Sequence, residues 1–176
     1  DIPLRLCYPL ADVDSDVIVE GLVGASSLII EGNNCDCGME DLFCGEDKQI
    51  LTDVQFNKLS KALIKKSEGM KKVVLVDLDL LGLKQKRLVS CLLNKTRSLT
   101  LSGGDFQPSR LVNAKKLLKG LLKLTKDSKL KELNLFNLYL DNYDGRMDGD
   151  GNVAENWADA FCNVYSVHLD KIYLVE

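Results

Sequence analysis

Aromatic residues are only 6% of this 176-residue chain, proline occurs three times and histidine once. Scarce aromatics make any core aliphatic, and they leave the basic stretches without the interleaved rings on which nucleic acid stacks. The single histidine, His168, stands without the company that a metal site or a catalytic triad needs. No stretch approaches the ~18 uninterrupted apolar residues of a membrane-spanning helix, so membrane insertion is not expected. The net charge of -3 supplies no bulk attraction to nucleic acid. No glycine-rich phosphate loop joins a strand to a helix, and Ser102-Gly103-Gly104-Asp105 is too short for that role. These absences argue against an enzyme and against a resident cofactor or metal. The chain opens at Asp1 without a basic-then-apolar leader, as a processed chain or a piece of a larger one does.

What the chain has is leucine at a regular spacing. Apolar residues recur at relative positions -3, 0, +2, +5 and +7 of a frame. It reads Met70, Val73, Leu75, Leu78, Leu80; then Leu130, Leu133, Leu135, Leu138, Leu140; then Val164, Val167, Leu169, Ile172, Leu174. Two modified copies begin at Leu28 (with Ala25, Ile30, Asn33, Cys35) and Leu99 (with Thr96, Leu101, Gly104, Phe106). Leu4 and Leu6 open a weaker sixth. Positions 0 and +2 share one side of a strand because side chains alternate with period two. Positions +5 and +7 are expected beyond the strand, where the chain turns inward again. One such unit cannot bury its own apolar edge and has to stack on a neighbour.

Helical patterning fills the intervals. Leu51 to Ser67 presents Val54, Phe56, Leu59, Ala62, Leu63 and Ile64 at three- and four-residue spacing, with Asp53 as N-cap and Gly69 as stop. Ser109 to Lys126 repeats the theme with Leu111, Ala114, Leu118, Leu121 and Leu122, and Pro108 suits its first turn. Shorter helices are expected over 86–93 and 154–164, and a glycine-diluted one over 12–24. The interval between the second and third frames is the longest, and its stretch 33–48 reads as an inserted loop.

Alternating strands and helices under one repeating frame resemble the ribonuclease-inhibitor-like class of leucine-rich repeats. The resemblance implies an α/β solenoid of five to six repeats over a single domain, 1–176, with a parallel concave sheet and convex helices. It also implies recognition of a protein partner or microbial ligand on the concave side. Helix-backed repeats of uneven length resemble the C-terminal repeat domain of nucleotide-binding leucine-rich-repeat innate immune receptors, which implies a cytoplasmic setting. In the frame, the residues between buried positions face the concave side: Ile29, Glu31, Val74, Val76, Asp77, Thr100, Ser102, Asn134, Phe136, Asn137, His168, Asp170 and Lys171. Phe136, flanked by Asn134 and with His168 in the next strand, is the expected anchor.

Three further motifs bear on metal binding and on the setting of the chain. Asp144 to Glu155 has the outline of a calcium loop, but Arg146 stands where an oxygen ligand belongs and a strand precedes it. It reads as an acidic loop. Cys35, Cys37 and Cys44 lack a fourth ligand for zinc. Their spacing is similar to the disulfide-bonded N-terminal cap of secreted leucine-rich-repeat proteins, so a secreted or cell-surface binding protein is the alternative. Cys91 and Cys162, set among apolar residues, are expected to be buried free thiols. Charge is segregated. Residues 1–47 hold eleven acids and one base, 84–131 hold thirteen bases and two acids, and 132–176 hold nine acids and two bases. A stacked fold turns that order into acidic ends and a basic middle, a layout that permits self-association.

Overall fold

Six strands form where the frame begins, and each lies beside the one before it. The computed structural model describes residues 3–7, 14–31, 53–66, 69–76, 86–103, 114–140 and 153–173. In chain order the elements are β1 (Pro3–Cys7), α1 (Ser15–Gly24), β2 (Ser27–Glu31), α2 (Asp53–Lys65), β3 (Met70–Val76), α3 (Lys86–Lys95), β4 (Thr96–Ser102), α4 (Ala114–Leu122), β5 (Glu132–Tyr139), α5 (Val153–Phe161) and β6 (Ser166–Tyr173). The sheet is wholly parallel, in the order β1-β2-β3-β4-β5-β6. Its register pairs Leu4, Leu28, Val73, Leu99, Leu133 and Val167 in succession, so the origins of all six sequence frames are cross-strand neighbours.

Burial follows the frame. Leu28, Ile30, Val73, Leu75, Leu99, Leu101, Leu133 and Leu135 are fully buried, with half-buried residues between them. They share one core with the inward faces of the helices, among them Ile18, Leu22, Leu59, Leu63, Leu92, Leu117, Leu121 and Trp157. Consecutive helices pack side by side and cover the sheet face those leucines present. The other face carries no helix among the described residues. No helix among them is long and apolar enough to cross a membrane.

Several helices end earlier or bury a narrower face than their patterns imply, whereas α3 runs to Lys95, past the expected 93. Val54, Ile64 and Leu122 point to solvent, because neighbouring helices and the sheet enclose only a narrow stripe of each helix. α4 stops at Leu122, where Lys123 and Leu124 donate back to the carbonyls of Gly120 and Leu121 in tightened turns, not to the fourth residue back. Asp53 is the first helical residue of α2, not its cap. α1 has a side-chain cap: Asp14 accepts from the amide of Asp16 at 2.9 Å. Gly21, which dilutes the helical pattern of α1, has a packing role. A Cβ there would lie 2.9 Å from Leu4 Cδ1, so the glycine lets α1 settle on β1.

Two expectations about depth are corrected. Cys91 is a buried free thiol, but the free thiol of Cys162 is exposed, because it follows α5 in the turn leading to β6. Position +5 does not wait for the end of the strand, because β5 runs through Leu138 to Tyr139, whereas +7, Leu140, follows it directly. The inward phase changes within the strand. Asn137 (φ 53) and Lys171 (φ 52) occupy the same frame position in left-handed conformation. Ladder pairing joins Phe136 to Asp170 and Leu138 to Ile172 and skips the residues between. One extra residue, as in a bulge, carries Leu138 and Leu140 back into the core after Leu135. The calcium-like stretch 144–155 lies outside the described residues up to 152, as do Cys35, Cys37, Cys44 and Asp77.

Candidate functional site: the open face of the sheet

With helices on one face, the uncovered face displays two rows that the register assembles from distant sequence. One runs Arg5, Ile29, Val74, Thr100, Asn134, His168, and the next runs Glu31, Val76, Ser102, Phe136, Asp170. Neighbouring strands are about 4.8 Å apart, so each row presents side chains at that interval. The rows change character across the sheet. Arg5 pairs with Glu31 at 2.8 Å at one end. Half-buried Ile29, Val74 and Val76 make an apolar middle. Polar and aromatic groups occupy β4 to β6.

The expected anchor cluster is assembled in space. The rings of Phe136 and His168 lie 5.5 Å apart at 57°, tilted as a quadrupole favours. Asn134 donates to Glu132 Oε1 at 2.9 Å and to Thr100 Oγ1 at 3.3 Å, which holds its amide flat across β4 and β5. His168 and Asp170 are exposed, and Phe136 and Asn134 are half-buried by their neighbours. Val76 is half-buried three strands away from His168, so it lies in the same rows but not in the cluster.

Asn137 departs from expectation. It is buried, at 8% exposure, and engaged by the structure rather than displayed. Its left-handed backbone sits at the phase change, where asparagine is tolerated better than most side chains. Lys171 has the same backbone but is exposed, because β6 has no strand on its far side among the described residues.

One pair of site residues escaped the sequence reading. Tyr139 and Tyr173 are register partners with ring centroids 5.4 Å apart at 44°. They follow the phase change, so they alternate with buried Leu138 and Leu140 and lie on the open side. The signal was present as a tyrosine at +6 in the two last frames. It was missed because +5 and +7 were assigned to a loop, which gives +6 no facing. Four rings on two strands, Phe136, His168, Tyr139 and Tyr173, therefore form an aromatic edge to the face. Among the described residues, no three His, Cys, Asp or Glu side chains converge as metal ligands would. No family model matches the chain, and neither does any curated protein or solved structure.

Proposed function

We propose that this chain is a leucine-rich-repeat solenoid of the ribonuclease-inhibitor-like class that works as a macromolecular recognition module. In this reading the open sheet face is the concave surface and the helices are the convex one. The supporting observation is the coincidence of frame and register: six sequence frames are also six successive rungs of one parallel sheet. Recognition is centred on β5 and β6, where Phe136, His168, Tyr139 and Tyr173 offer rigid aromatic area at low conformational cost. Asn134 and Asp170 supply the polar contacts that fix orientation. The partner is a protein or a microbial ligand, bound without chemistry. The proposed setting is cytoplasmic, as a ligand-sensing or regulatory repeat domain of an innate immune receptor.

Partner capture by Phe136→Ala and His168→Ala proteins, compared with Lys119→Ala on the exposed side of α4, tests the surface. The two face variants are expected to lose at least about 1 kcal/mol of binding each, and the α4 variant almost none. Equal losses in all three would remove the face from consideration. The setting has its own test, a thiol count under denaturing, non-reducing conditions. Six free thiols accord with a reducing compartment, whereas bridges at Cys35, Cys37 or Cys44 would favour the secreted alternative.

A further inference from the structure

A second concavity lies at the opposite ends of the strands, where the chain enters the sheet from its helices. Its volume is about 630 Å³, and six of its lining residues are cationic: Lys66, Lys71, Lys95, Arg97, Lys129 and Lys131. No carboxylate lines it among the described residues. The clustering follows from the frame. Lys71, Arg97 and Lys131 each stand two residues before the origin of three successive frames, and Lys95 and Lys129 stand four before it. The sheet register therefore stacks cations that are remote in sequence. The Lys131 amide donates to the Arg97 carbonyl at 2.8 Å, so the ladder extends into this region. The backbones that carry Lys71, Arg97 and Lys131 stand one strand spacing apart, about 4.8 Å.

The walls of the groove are fixed. Lys66 Nζ donates to the carbonyl of Leu22 at 2.9 Å and also to those of Val23 and Ala25, which ties it to the C-terminal end of α1. Lys131 Nζ donates to the Lys126 carbonyl at 2.9 Å. Gly69 has φ 73, and a Cβ on it would lie 2.3 Å from the Lys95 carbonyl oxygen. The absent side chain lets the segment before β3 close against the end of α3. By contrast, no hydrogen bond or ion pair among the described residues engages the side chain of Lys95 or Arg97.

Like charges around one cavity repel, and an anion that reaches several of them together relieves the repulsion. A peptide carboxylate carries a single charge. A phosphate monoester carries about -1.5 to -2 and three acceptor oxygens, and the arginine fork matches it in two bonds. A nucleic-acid strand calls for stacking rings, and none lines this cavity. An acidic peptide spreads single charges along an extended chain, whereas the six cations here line one cavity, with apolar surface limited to Val23, Ala25 and Met70. We infer that the groove binds a compact, multiply phosphorylated group, with Lys95 and Arg97 making the principal contacts. Such a group occurs on a soluble polyphosphorylated molecule or as a lipid headgroup.

Calorimetric titration of the whole chain with inorganic tripolyphosphate tests the site. Flotation with phosphatidylcholine vesicles, with and without a small fraction of phosphatidylinositol bisphosphate, tests the source. Saturable binding of one tripolyphosphate is expected, weakened about tenfold or more in a Lys95→Glu/Arg97→Glu protein and unchanged in Lys119→Glu. Arg97→Gln, which keeps a similar stem, serves if the double variant does not fold, as read by Trp157 fluorescence. Binding of tripolyphosphate without vesicle capture assigns the soluble source. Capture only by the phosphoinositide vesicles assigns the headgroup. The inference is overturned if neither ligand binds, if Lys119→Glu loses as much as the groove variants, or if oligothymidylate or poly-glutamate of matched charge binds more tightly.

Discussion

β5 and β6 carry the same frame, meet in register and share the same left-handed residue, yet they differ in what surrounds them. In β5, Leu133, Leu135 and Leu138 are 0% exposed. In β6 the equivalent Val167 and Ile172 are only half-buried and Leu169 is 44% exposed. β5 lies between two strands and under packed helices, whereas β6 is the edge of the sheet. Burial at a frame position is thus conferred by the next unit in the stack, not by the residue that occupies it. The sequence marks where a side chain would be buried; the neighbour decides whether it is.

The sharpest way to break this comparison is to truncate matched leucines. Leu135→Ala should cost about 3–4 kcal/mol, because it leaves a cavity in a closed core. Leu169→Ala should cost about 1 kcal/mol or less. Urea unfolding followed by Trp157, the chain's only tryptophan and 1% exposed, reports both. Similar losses would mean that something covers β6 in solution.

Smaller effects sharpen the contrast at the phase change. Asn137→Ala is expected to lose about 1–2 kcal/mol, since it removes both a buried polar partner and a residue suited to left-handed backbone. Lys171→Asn should gain up to about 1 kcal/mol, because it keeps the surface polar and eases the same backbone. A gain at Lys171 equal in size to the loss at Asn137 would show that conformation, not burial, governs this position, and no loss at Asn137 would remove both contributions.

The two thiols extend the comparison from interior to edge without altering stability. Burial pushes the Cys91 thiol up, so at pH 8 timed alkylation with peptide mapping should label Cys162 well before Cys91. The linkage has a definite sign. The neutral Cys91 thiol contributes its stability below the ordinary thiol range, and that contribution is lost as pH rises through the raised value. Equal labelling rates at pH 8 would place Cys91 in a locally open region.

Much of the architecture was legible because period and spacing are local properties. The frames at Val73, Leu99 and Leu133 could be found in the sequence, and their coincidence in register follows from stacking. The Phe136 and His168 contact was also legible, since both residues stand between buried positions of adjacent frames. Asn137 was misplaced because every residue between the buried frame positions +2 and +5 was assigned to the open face, and hydrophobic pattern does not encode the backbone handedness that puts two inward residues in succession there. Val54, Ile64 and Cys162 were assigned too much burial because apolar type does not say how wide a helix face its neighbours enclose. The cationic columns at Lys71, Arg97 and Lys131 were visible only as charge density along the chain, since the geometry that aligns them is the sheet itself.

The left-handed residue in β5 and β6 acts as punctuation. Upstream of it, odd and even positions have one meaning; downstream, the meanings are exchanged. Regular strand backbone at Asn137 would leave every later residue of β5 in place along the chain but invert its sense, turning Leu138 and Leu140 outward and Tyr139 inward. The handedness of one backbone position therefore fixes which side chains the face displays, and a variant of this chain with altered loops should keep its face as long as that left-handed turn is kept.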